Sequence, residues 1–325
     1  MSWKGHFYID GKDAYEEYGV FVANNGYTSL MSYPAFKDLD TNDWPEENGI
    51  EVDLTDVVLD YREFQLSFHS IDYWKTIDFI AVLSDKAYHE YDFREIGRIA
   101  KLRLVSSNKK SIGKSIDSFS LTFADDFPML GYKYASPVQV NMPKQPSYEI
   151  DGVPLANYGV FLLDGSDAEI LKTPFIKKNL IVNLSNSNGA IYDGENVVFQ
   201  KKNVALKCWM RCDNVATMWR NLDALVHDLT KATEKEDKDG FKYNDSGKTF
   251  YSEILEEEFP CYYDGLKATK FQLLPGNRIW LEFTLTLSFT SFVVGEVEYL
   301  LASEAEELII TEDGEYCIDM KYYGN

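Results

Sequence analysis

The sequence predicts a β-rich α+β fold made of two related domains in tandem. Three observations lead to it: the chain repeats itself, most apolar residues alternate with polar ones as in half-buried strands, and each repeat contains one segment with helical periodicity. The chain has 325 residues, enough for two ordinary domains, and its apolar content of 45% can fill two cores.

The internal repeat is the strongest of these observations. Several motifs of the first half return in the second, most of them 140 residues later. The pairs are Ile9-Asp10-Gly11 and Ile150-Asp151-Gly152, Tyr18-Gly19-Val20-Phe21 and Tyr158-Gly159-Val160-Phe161, Pro34-Ala35-Phe36-Lys37 and Pro174-Phe175-Ile176-Lys177, Asn48-Gly49 and Asn188-Gly189, and Val57-Val58-Leu59 and Val197-Val198-Phe199. Catalysis needs one asymmetric pocket, whereas a duplicated module favours a ring or another symmetric assembly.

The repeats define the predicted domain boundaries. We place the first domain at residues 1–130, a linker at 131–147, the second domain at 148–292 and a C-terminal extension at 293–325. Prolines in the linker predict a semi-extended segment, and an insert near 231–248 in the second domain is expected to be an exposed loop. In the extension, Asp313-Gly314 between two apolar runs predicts a β-hairpin whose edge could pair with a neighbouring chain.

Alternating residues predict the strands of both repeats. The apolar members of the middle strands are Phe64, Leu66 and Phe68 in the first repeat and Val204, Leu206 and Cys208 in the second. The apolar members of the later strands are Phe119, Leu121 and Phe123, and Phe283, Leu285, Leu287 and Phe289. This alternation is typical of antiparallel strands with one buried face.

A helix is predicted directly after the middle strand of each repeat. In the second repeat Asp213 is the expected N-cap, and an apolar stripe follows at Val215, Met218, Trp219, Leu222, Leu225, Val226 and Leu229. In the first repeat the helix is expected to begin at Asp72. Matching the two helices at an offset of 141 residues predicts that Trp74, Ile77 and Ala81 face the core.

The charge of the chain argues against nucleic-acid binding. The formal net charge is −21, from 53 acidic and 32 basic residues, whereas affinity for phosphates comes largely from lysine and arginine. The acidity can serve solubility alone, or it can line a passage through which a polyanion slides without adhering. The N-terminal residues do not resemble a signal peptide and no apolar run is long enough to cross a membrane, so the sequence predicts a cytosolic product without membrane insertion.

The sequence indicates neither a disulfide framework nor a metal site. Cys208, Cys212, Cys261 and Cys317 all lie in the second half, and the first half is expected to fold without cysteines. Cys208 and Cys212 are expected to be small buried side chains. The segment Lys235–Gly240 superficially resembles a calcium loop, but Lys235 and Ser246 stand where two essential oxygen ligands belong.

No catalytic, cofactor-binding or metal-binding residue is predicted, so the chain is not expected to be an enzyme. His6, His69, His89 and His227 are isolated, and His227 is expected to form a surface pair with Asp223 one helical turn away. Glu256-Glu257-Glu258 is expected to be a solvated face. There is no phosphate-binding glycine loop.

Together these residues resemble the tail-tube-like domain of phage distal tail and baseplate hub proteins. The resemblance rests on the Ile-Asp-Gly and Tyr-Gly-Val hairpin motifs, the segment at Tyr33-Pro34, the Asn-Gly motif, the strand from Arg62 to Phe68 and the capped helix that follows. It implies two β-sandwich domains, each with one packed helix. It also implies side-by-side association into a ring that continues the sixfold tail tube, without an enzymatic site or cofactor.

The function implied by this resemblance is structural. The chain would be a virion protein of the tail tip, made in the cytoplasm of the bacterial host, whose ring links the tail tube to other baseplate proteins. DNA would pass through an acidic lumen as cargo that does not adhere. Because a second tube-like copy replaces the usual accessory domain, either a trimer with pseudo-sixfold symmetry or a hexamer of stacked rings is possible, and the short linker favours the trimer.

Two other functions remain open at the level of sequence. A carbohydrate-binding or adhesin-type β-sandwich protein could use the abundant aromatic residues, which make up 15% of the chain, to stack on sugar rings. A glycoside hydrolase would need two carboxylates about 5 to 9.5 Å apart in a cleft. Ring formation distinguishes the structural protein from both, since a binding module is expected to stay monomeric and retain a glycan.

Overall fold

Two curled antiparallel sheets of seven strands, one in each repeat, make up most of the fold. The computed structural model describes residues 3–111, 116–177, 184–186, 188–191, 197–236 and 240–290, with the side chains of Tyr73 and residues 108–111 excepted. These residues pack as one compact unit. The C-terminal hairpin predicted around Asp313-Gly314 lies outside them.

The described part of the first repeat contains nine strands and two α-helices. In chain order they are β1 (Phe7–Ile9), β2 (Lys12–Asp13), α1 (Ala14–Tyr18), β3 (Val20–Val22), β4 (Thr41–Asn42), β5 (Glu51–Val52), β6 (Arg62–Ser70), α2 (Tyr73–Leu83), β7 (His89–Phe93), β8 (Arg98–Ser111) and β9 (Asp117–Asp125). Short 3-10 helices occur at Thr28–Met31 and Arg94–Ile96.

The second repeat also has nine strands and two α-helices in its described part. They are β10 (Tyr148–Ile150), β11 (Val153–Pro154), β12 (Val160–Leu162), α3 (Ser166–Leu171), β13 (Lys202–Cys212), α4 (Val215–Thr230), β14 (Thr233–Glu236), β15 (Lys242–Asp245), β16 (Lys248–Ser252), β17 (Glu257–Leu274) and β18 (Arg278–Phe289). A 3-10 helix at Leu155–Tyr158 precedes β12.

The two sheets have the same strand order. It is β2-β1-β7-β8-β9-β6-β3 in the first repeat and β11-β10-β16-β17-β18-β13-β12 in the second. In each sheet one long strand joins two groups of strands, which we call the arms of the sheet. In the first sheet β8 pairs first with β7 in one arm and then with β9 in the other, and in the second sheet β17 pairs first with β16 and then with β18. Both long strands carry bulges in their second part, which bend a strand and increase its twist. The predicted β-rich α+β fold is confirmed.

Aromatic side chains from both arms of the first sheet meet in its core. The Phe68 ring of β6 lies 5.7 Å from Phe7 of β1, 5.6 Å from Phe119 of β9 and 6.0 Å from Phe79 of α2, measured between ring centroids. The alternating apolar residues predicted for the middle and later strands are all buried, so the predicted strand phase is confirmed in both repeats. Two-residue periodicity was sufficient because each strand has one face on the core.

The long helices differ from the prediction in their start and, in α2, in the buried face. The N-cap of α4 is Asn214, whose side chain accepts a hydrogen bond from the Thr217 N–H, rather than Asp213. The N-cap of α2 is Asp72, as predicted. The two helices therefore match at 142 residues instead of 141, and an error of one residue rotates the expected helical face by about 100°.

The core-facing side of α2 was consequently predicted wrongly. Trp74, Ile77 and Ala81 are exposed, whereas Thr76, Phe79 and Leu83 are buried. Two short helices were also missed, α1 in the first repeat and α3 in the second, so each repeat has more than the one helix expected. Their five and six residues are too few for a helical pattern to stand out in the sequence.

The insert and the linker both have defined contacts in the structure. Residues on either side of the insert's tip form the hairpin β14–β15. The linker lies across α4, where the Asn221 side chain accepts from the Val138 N–H at 2.7 Å and donates to the Val138 carbonyl at 2.8 Å. Gln145 pairs with the backbone of the edge strand β12 in the same two-way manner.

The opening turn of each repeat places an aspartate and a glycine at positive φ. Asp10-Gly11 has φ values of 48° and 79°, and Asp151-Gly152 has 49° and 75°, as a two-residue hairpin turn requires. The Asp10 carboxylate contacts Lys86 at 2.9 Å and His89 at 2.7 Å and accepts from the Glu90 N–H at 3.1 Å. Burial opposes its ionisation, but these three contacts outweigh burial and lower the pKa of Asp10 to about 2.

Replacing Asp10 with asparagine should therefore flatten the acid end of the stability profile. A carboxylate whose pKa is lower in the folded than in the unfolded chain stabilises the fold above the unfolded pKa, and this contribution disappears as the pH falls through the folded pKa. We expect wild type to be more stable than Asp10→Asn at pH 5 and the difference to vanish near pH 2. Urea unfolding across this range measures it, and a difference independent of pH would contradict the assignment.

Candidate assembly interface

The two repeats are joined by a short backbone pairing. The Tyr33 N–H donates to the Leu266 carbonyl at 2.7 Å, and the Leu266 N–H donates to the Tyr33 carbonyl at 3.0 Å. Leu266 lies at the end of a bulge of β17 that extends from Tyr263 to Leu266. The segment that follows the 3-10 helix Thr28–Met31 therefore adds to the long strand of the other repeat.

A buried polar cluster lies beside this pairing. The Tyr33 hydroxyl donates to the Asp223 carboxylate of α4, and the Arg98 guanidinium donates to the same carboxylate at 2.7 and 3.3 Å. Burial and the neighbouring Asp223 raise the pKa of Tyr33, so its hydroxyl stays protonated and acts as the donor. Three groups from both repeats thus satisfy one another, and of the three only the Arg98 side chain is partly exposed to solvent.

An aromatic contact continues the interface along α4. The Trp219 indole N–H donates to the Ile96 carbonyl at 2.6 Å, and the Arg98 guanidinium carbon lies 4.4 Å from the centroid of the Trp219 ring. Trp219 is 6% exposed. An arginine can stack one face of its planar guanidinium on an indole while the N–H groups at its edge bond a carboxylate, which a lysine could not do.

A turn of the first repeat docks on the second repeat at a separate point. The Asn48 side chain accepts from the Phe199 N–H at 2.9 Å, and the Gly49 N–H donates to the Phe199 carbonyl at 2.9 Å. Gly49 has φ of 77°, a conformation that favours glycine. The Asn48-Gly49 turn therefore satisfies both backbone groups of one residue on the edge of the other repeat.

The same loop covers a buried lysine of the second repeat. The Lys177 ammonium donates to the carbonyls of Trp44 and Glu47 at 2.7 Å each and lies 2.6 Å from the Asp43 carboxylate. Lys177 is 5% exposed. The charge is tolerated because these three contacts are to oxygen atoms, one of them ionised.

These contacts join different surfaces of two equivalent units. We call Tyr33, the Asn48-Gly49 turn, Ile96 and Arg98 the docking face of the first repeat. The receiving face of the second repeat consists of Lys177, Phe199, Trp219, Asp223 and Leu266. If the repeats were related by a twofold axis, the docking face of the second repeat would also bind the receiving face of the first within the same chain. Among the described residues, only the docking face of the first repeat makes such a contact. The contact is head-to-tail.

The remaining candidates from the sequence are dispersed over the fold. Contacts of the four histidines are to Glu95 (His6), Ser118 (His69), Asp10 (His89) and Asp228 (His227). The predicted surface pair of His227 with Asp223 is therefore wrong, because Asp223 is buried against Arg98 and Tyr33. Glu256, Glu257 and Glu258 are exposed, as predicted.

The cysteines give no reactive or metal-binding site in the described part of the chain. Cys208, Cys212 and Cys261 are free and buried, which confirms the burial predicted for Cys208 and Cys212. Burial raises the pKa of each thiol to about 12. No group of three potential metal ligands occurs among the described residues, which do not include Cys317 or Asp237 and Asp239 of the discounted calcium loop. In the same residues, no helix is long and apolar enough to cross a membrane.

The sequence did not reveal the charged residues of the interface. Arg98, Lys177 and Asp223 resemble ordinary surface charges, and Lys177 has a counterpart, Lys37, that is exposed. Their burial depends on contacts between distant parts of the chain. One signal was available, since the Asn-Gly motif recurs in both repeats and its first copy is the docking turn.

Comparison with solved structures finds a similarity to a phage protein. No protein-family model matches the chain, and no curated protein matches it. Among solved structures, the Dit protein of phage SPP1, described as a paradigm of the hub adsorption apparatus in phages that infect Gram-positive bacteria, aligns with 12% identity. The alignment covers 88% of this chain and 98% of that one, with a TM-score of 0.30. At this TM-score the similarity alone establishes neither a shared fold nor a shared function.

Proposed function

We propose that the chain is a structural, non-enzymatic subunit of a phage tail tip that assembles with its own copies into a closed ring. The observation that carries the proposal is the head-to-tail contact between the repeats. Such a contact uses the docking face of the first repeat and the receiving face of the second. The receiving face of the first repeat and the docking face of the second then remain for contacts with other copies. Repeating it between chains produces a ring when the rotation closes.

The sequence motifs shared with distal tail and hub proteins supply the biological setting. In that family, tube-like domains associate side by side around the axis of the tail. Three copies of this chain would supply six similar units, so a trimer is the assembly we favour over a hexamer. The ring would link the tail tube to the other proteins of the baseplate.

The acidic composition fits a lumen through which DNA passes. With a net charge of −21, carboxylates around the channel would repel phosphates and prevent adhesion during passage. The repulsion between subunits would be offset by contacts at their interfaces. Genome delivery should therefore suffer when carboxylates facing the lumen are replaced by lysine, and unchanged delivery would contradict this role of the charge.

Mass measurement and negative-stain microscopy of the purified full chain test the ring. We expect a concentration-dependent oligomer of three or six chains that appears as an annulus with a central hole. A chain that stays monomeric at high micromolar concentration would contradict the proposal. Retention of a glycan by that monomer would instead favour the carbohydrate-binding alternative.

A further inference from the structure

We infer that the Asn188-Gly189 turn of one chain docks on the Leu59 edge of a second copy of this chain, and that Leu255 of the first copy packs near Ile77 of the second. The inference rests on the proposed ring and specifies its interface. It follows from comparing each half of the contact between the repeats with its counterpart elsewhere in the chain.

The edge around Leu59 has the same hydrogen bonding as the edge that receives the Asn48-Gly49 turn. In the second repeat, the backbone N–H of Lys177 donates to the Val198 carbonyl, and the backbone N–H of Gln200 donates to the Phe175 carbonyl. These bonds flank Phe199 and leave its own N–H and carbonyl facing outward, where Asn48 and Gly49 bind them.

In the first repeat the flanking bonds are repeated. The backbone N–H of Lys37 donates to the Val58 carbonyl at 2.9 Å, and the backbone N–H of Asp60 donates to the Ala35 carbonyl at 3.0 Å. Leu59 is therefore oriented as Phe199 is, with its N–H and carbonyl on the outer side. Within the described residues neither group makes a hydrogen bond.

The turn that would bind this edge is present in the second repeat. Asn188-Gly189 has the residues of the docking turn, and Gly189 has φ of 82° beside 77° for Gly49. Both residues of the turn are exposed. A Cβ at Gly189 would meet no atom within 4 Å among the residues that the structure describes. Gly189 thus has the φ of its engaged counterpart, and the turn is exposed.

The lysines beside the two edges differ in burial, as expected if only the edge of the second repeat is covered within the chain. Lys177 is buried under the loop that carries the Asn48-Gly49 turn, whereas Lys37, at the matching position, is exposed. Among the described residues the Lys37 ammonium has neither an ion pair nor a hydrogen bond. A loop arriving with Asn188-Gly189 would cover Lys37 as its counterpart covers Lys177.

The helices give an independent second point of contact. Ile77 of α2 and Trp219 of α4 each lie five residues after their N-caps, and Trp219 binds the Ile96 carbonyl. Ile77 is 42% exposed. The counterpart of Ile96 is Leu255, three residues after β16 as Ile96 is after β7, and the neighbouring Ile254 is 51% exposed. Exposed apolar groups therefore occur on both of the faces that would meet.

The occupant we commit to is a second copy because the contact within the chain already shows what these faces bind. The docking face of a first repeat fits the receiving face of a second repeat. The remaining docking face, with Asn188-Gly189 and Leu255, then fits the remaining receiving face, with Leu59 and Ile77. The new contact continues the existing one in the same direction.

Two variants test the interface in the full chain by sedimentation velocity. Asn188→Ala removes the acceptor for the Leu59 N–H and should weaken association at least tenfold. Ile77→Asp places a charge in the apolar contact and should abolish the oligomer. The matched controls are Asn48→Ala, the same change in the engaged turn, and Val153→Asp, which alters a side chain that is 40% exposed on the edge strand β11.

The controls separate assembly from folding. Asn48→Ala should lower the unfolding midpoint of the monomer more than Asn188→Ala does, and Val153→Asp should assemble like wild type. Hydrogen exchange provides a second readout that needs no variant, since the peptide containing Leu59 should become protected when wild-type chains associate. Circular dichroism confirms that each variant is folded.

The outcomes distinguish this interface from the ring itself. A wild-type chain that does not associate would overturn both. Association that persists in Asn188→Ala and Ile77→Asp, without protection at Leu59, would overturn the interface and leave the ring. Equal loss of assembly in Val153→Asp would show a general effect of added charge and would likewise overturn the assignment.

Discussion

Replacing Asp223 with alanine is expected to lower the free energy of unfolding by about 3 kcal/mol, the range found when one partner of a buried ion pair is removed. The change leaves the Arg98 guanidinium and the Tyr33 hydroxyl without their shared acceptor. Because the Arg98 side chain is 27% exposed, water can solvate part of it, and the loss should lie at the lower end of that range. Urea unfolding followed by tryptophan fluorescence measures the effect.

Two further variants show whether the loss comes from this cluster. Asp213→Ala removes an exposed carboxylate just before α4 and should change stability by less than about 0.5 kcal/mol. Tyr33→Phe removes one donor, and its effect should not add to that of Asp223→Ala, since both variants break the same bond. If Asp223→Ala and Asp213→Ala were equally stable, the cluster would not hold the repeats together.

Replacing Phe68 with alanine is expected to cost about 4 kcal/mol, within the range for truncating a buried phenylalanine. Phe68 is fully buried where β1, β9 and α2 meet, with rings from all three within about 6 Å, a distance at which aromatic pairs interact. Removing the ring leaves a cavity that neither arm of the sheet can easily fill. Chemical denaturation of the variant and wild type gives the difference directly.

The second repeat provides a matched control at the equivalent position. Cys208 takes the place of Phe68 on β13, and Cys208→Ala removes a single sulfur atom, so its cost should be about 1 kcal/mol, close to that of one buried methylene. A loss below about 1.5 kcal/mol for Phe68→Ala would contradict the central place of this ring, because core truncations of this size cost more.

Because the repeats share the Asp223 cluster, we also expect both repeats to unfold in a single transition. Separate unfolding of the first repeat would show weak coupling.

The strands could be predicted from the sequence because their information is local. Phe64, Leu66 and Phe68 alternate with polar residues, and their exposure in the structure follows that alternation. The phase of α2 could not be predicted in this way. Its N-cap was correct, but the start of α4 was misplaced by one residue, and matching the helices transferred that error to α2.

The interface could be predicted less well because burial there depends on residues far apart in the chain. Lys37 and Lys177 follow similar proline-led segments, yet only Lys177 is covered. Asp223 lies 125 residues from Arg98 in the sequence, and no local pattern relates them. The repeated Asn-Gly motif marked the docking turn, but its partner could be identified only from the fold.

The way the linker lies on α4 decides where the second half can be separated from the first. Asn221 holds both backbone groups of Val138 and also donates to the Tyr158 carbonyl at 3.2 Å. A fragment that begins at Tyr148 would leave this amide without its main partner and the outer edge of β12 without Gln145. A fragment for separate expression should therefore begin near Tyr132, although the repeat itself starts sixteen residues later.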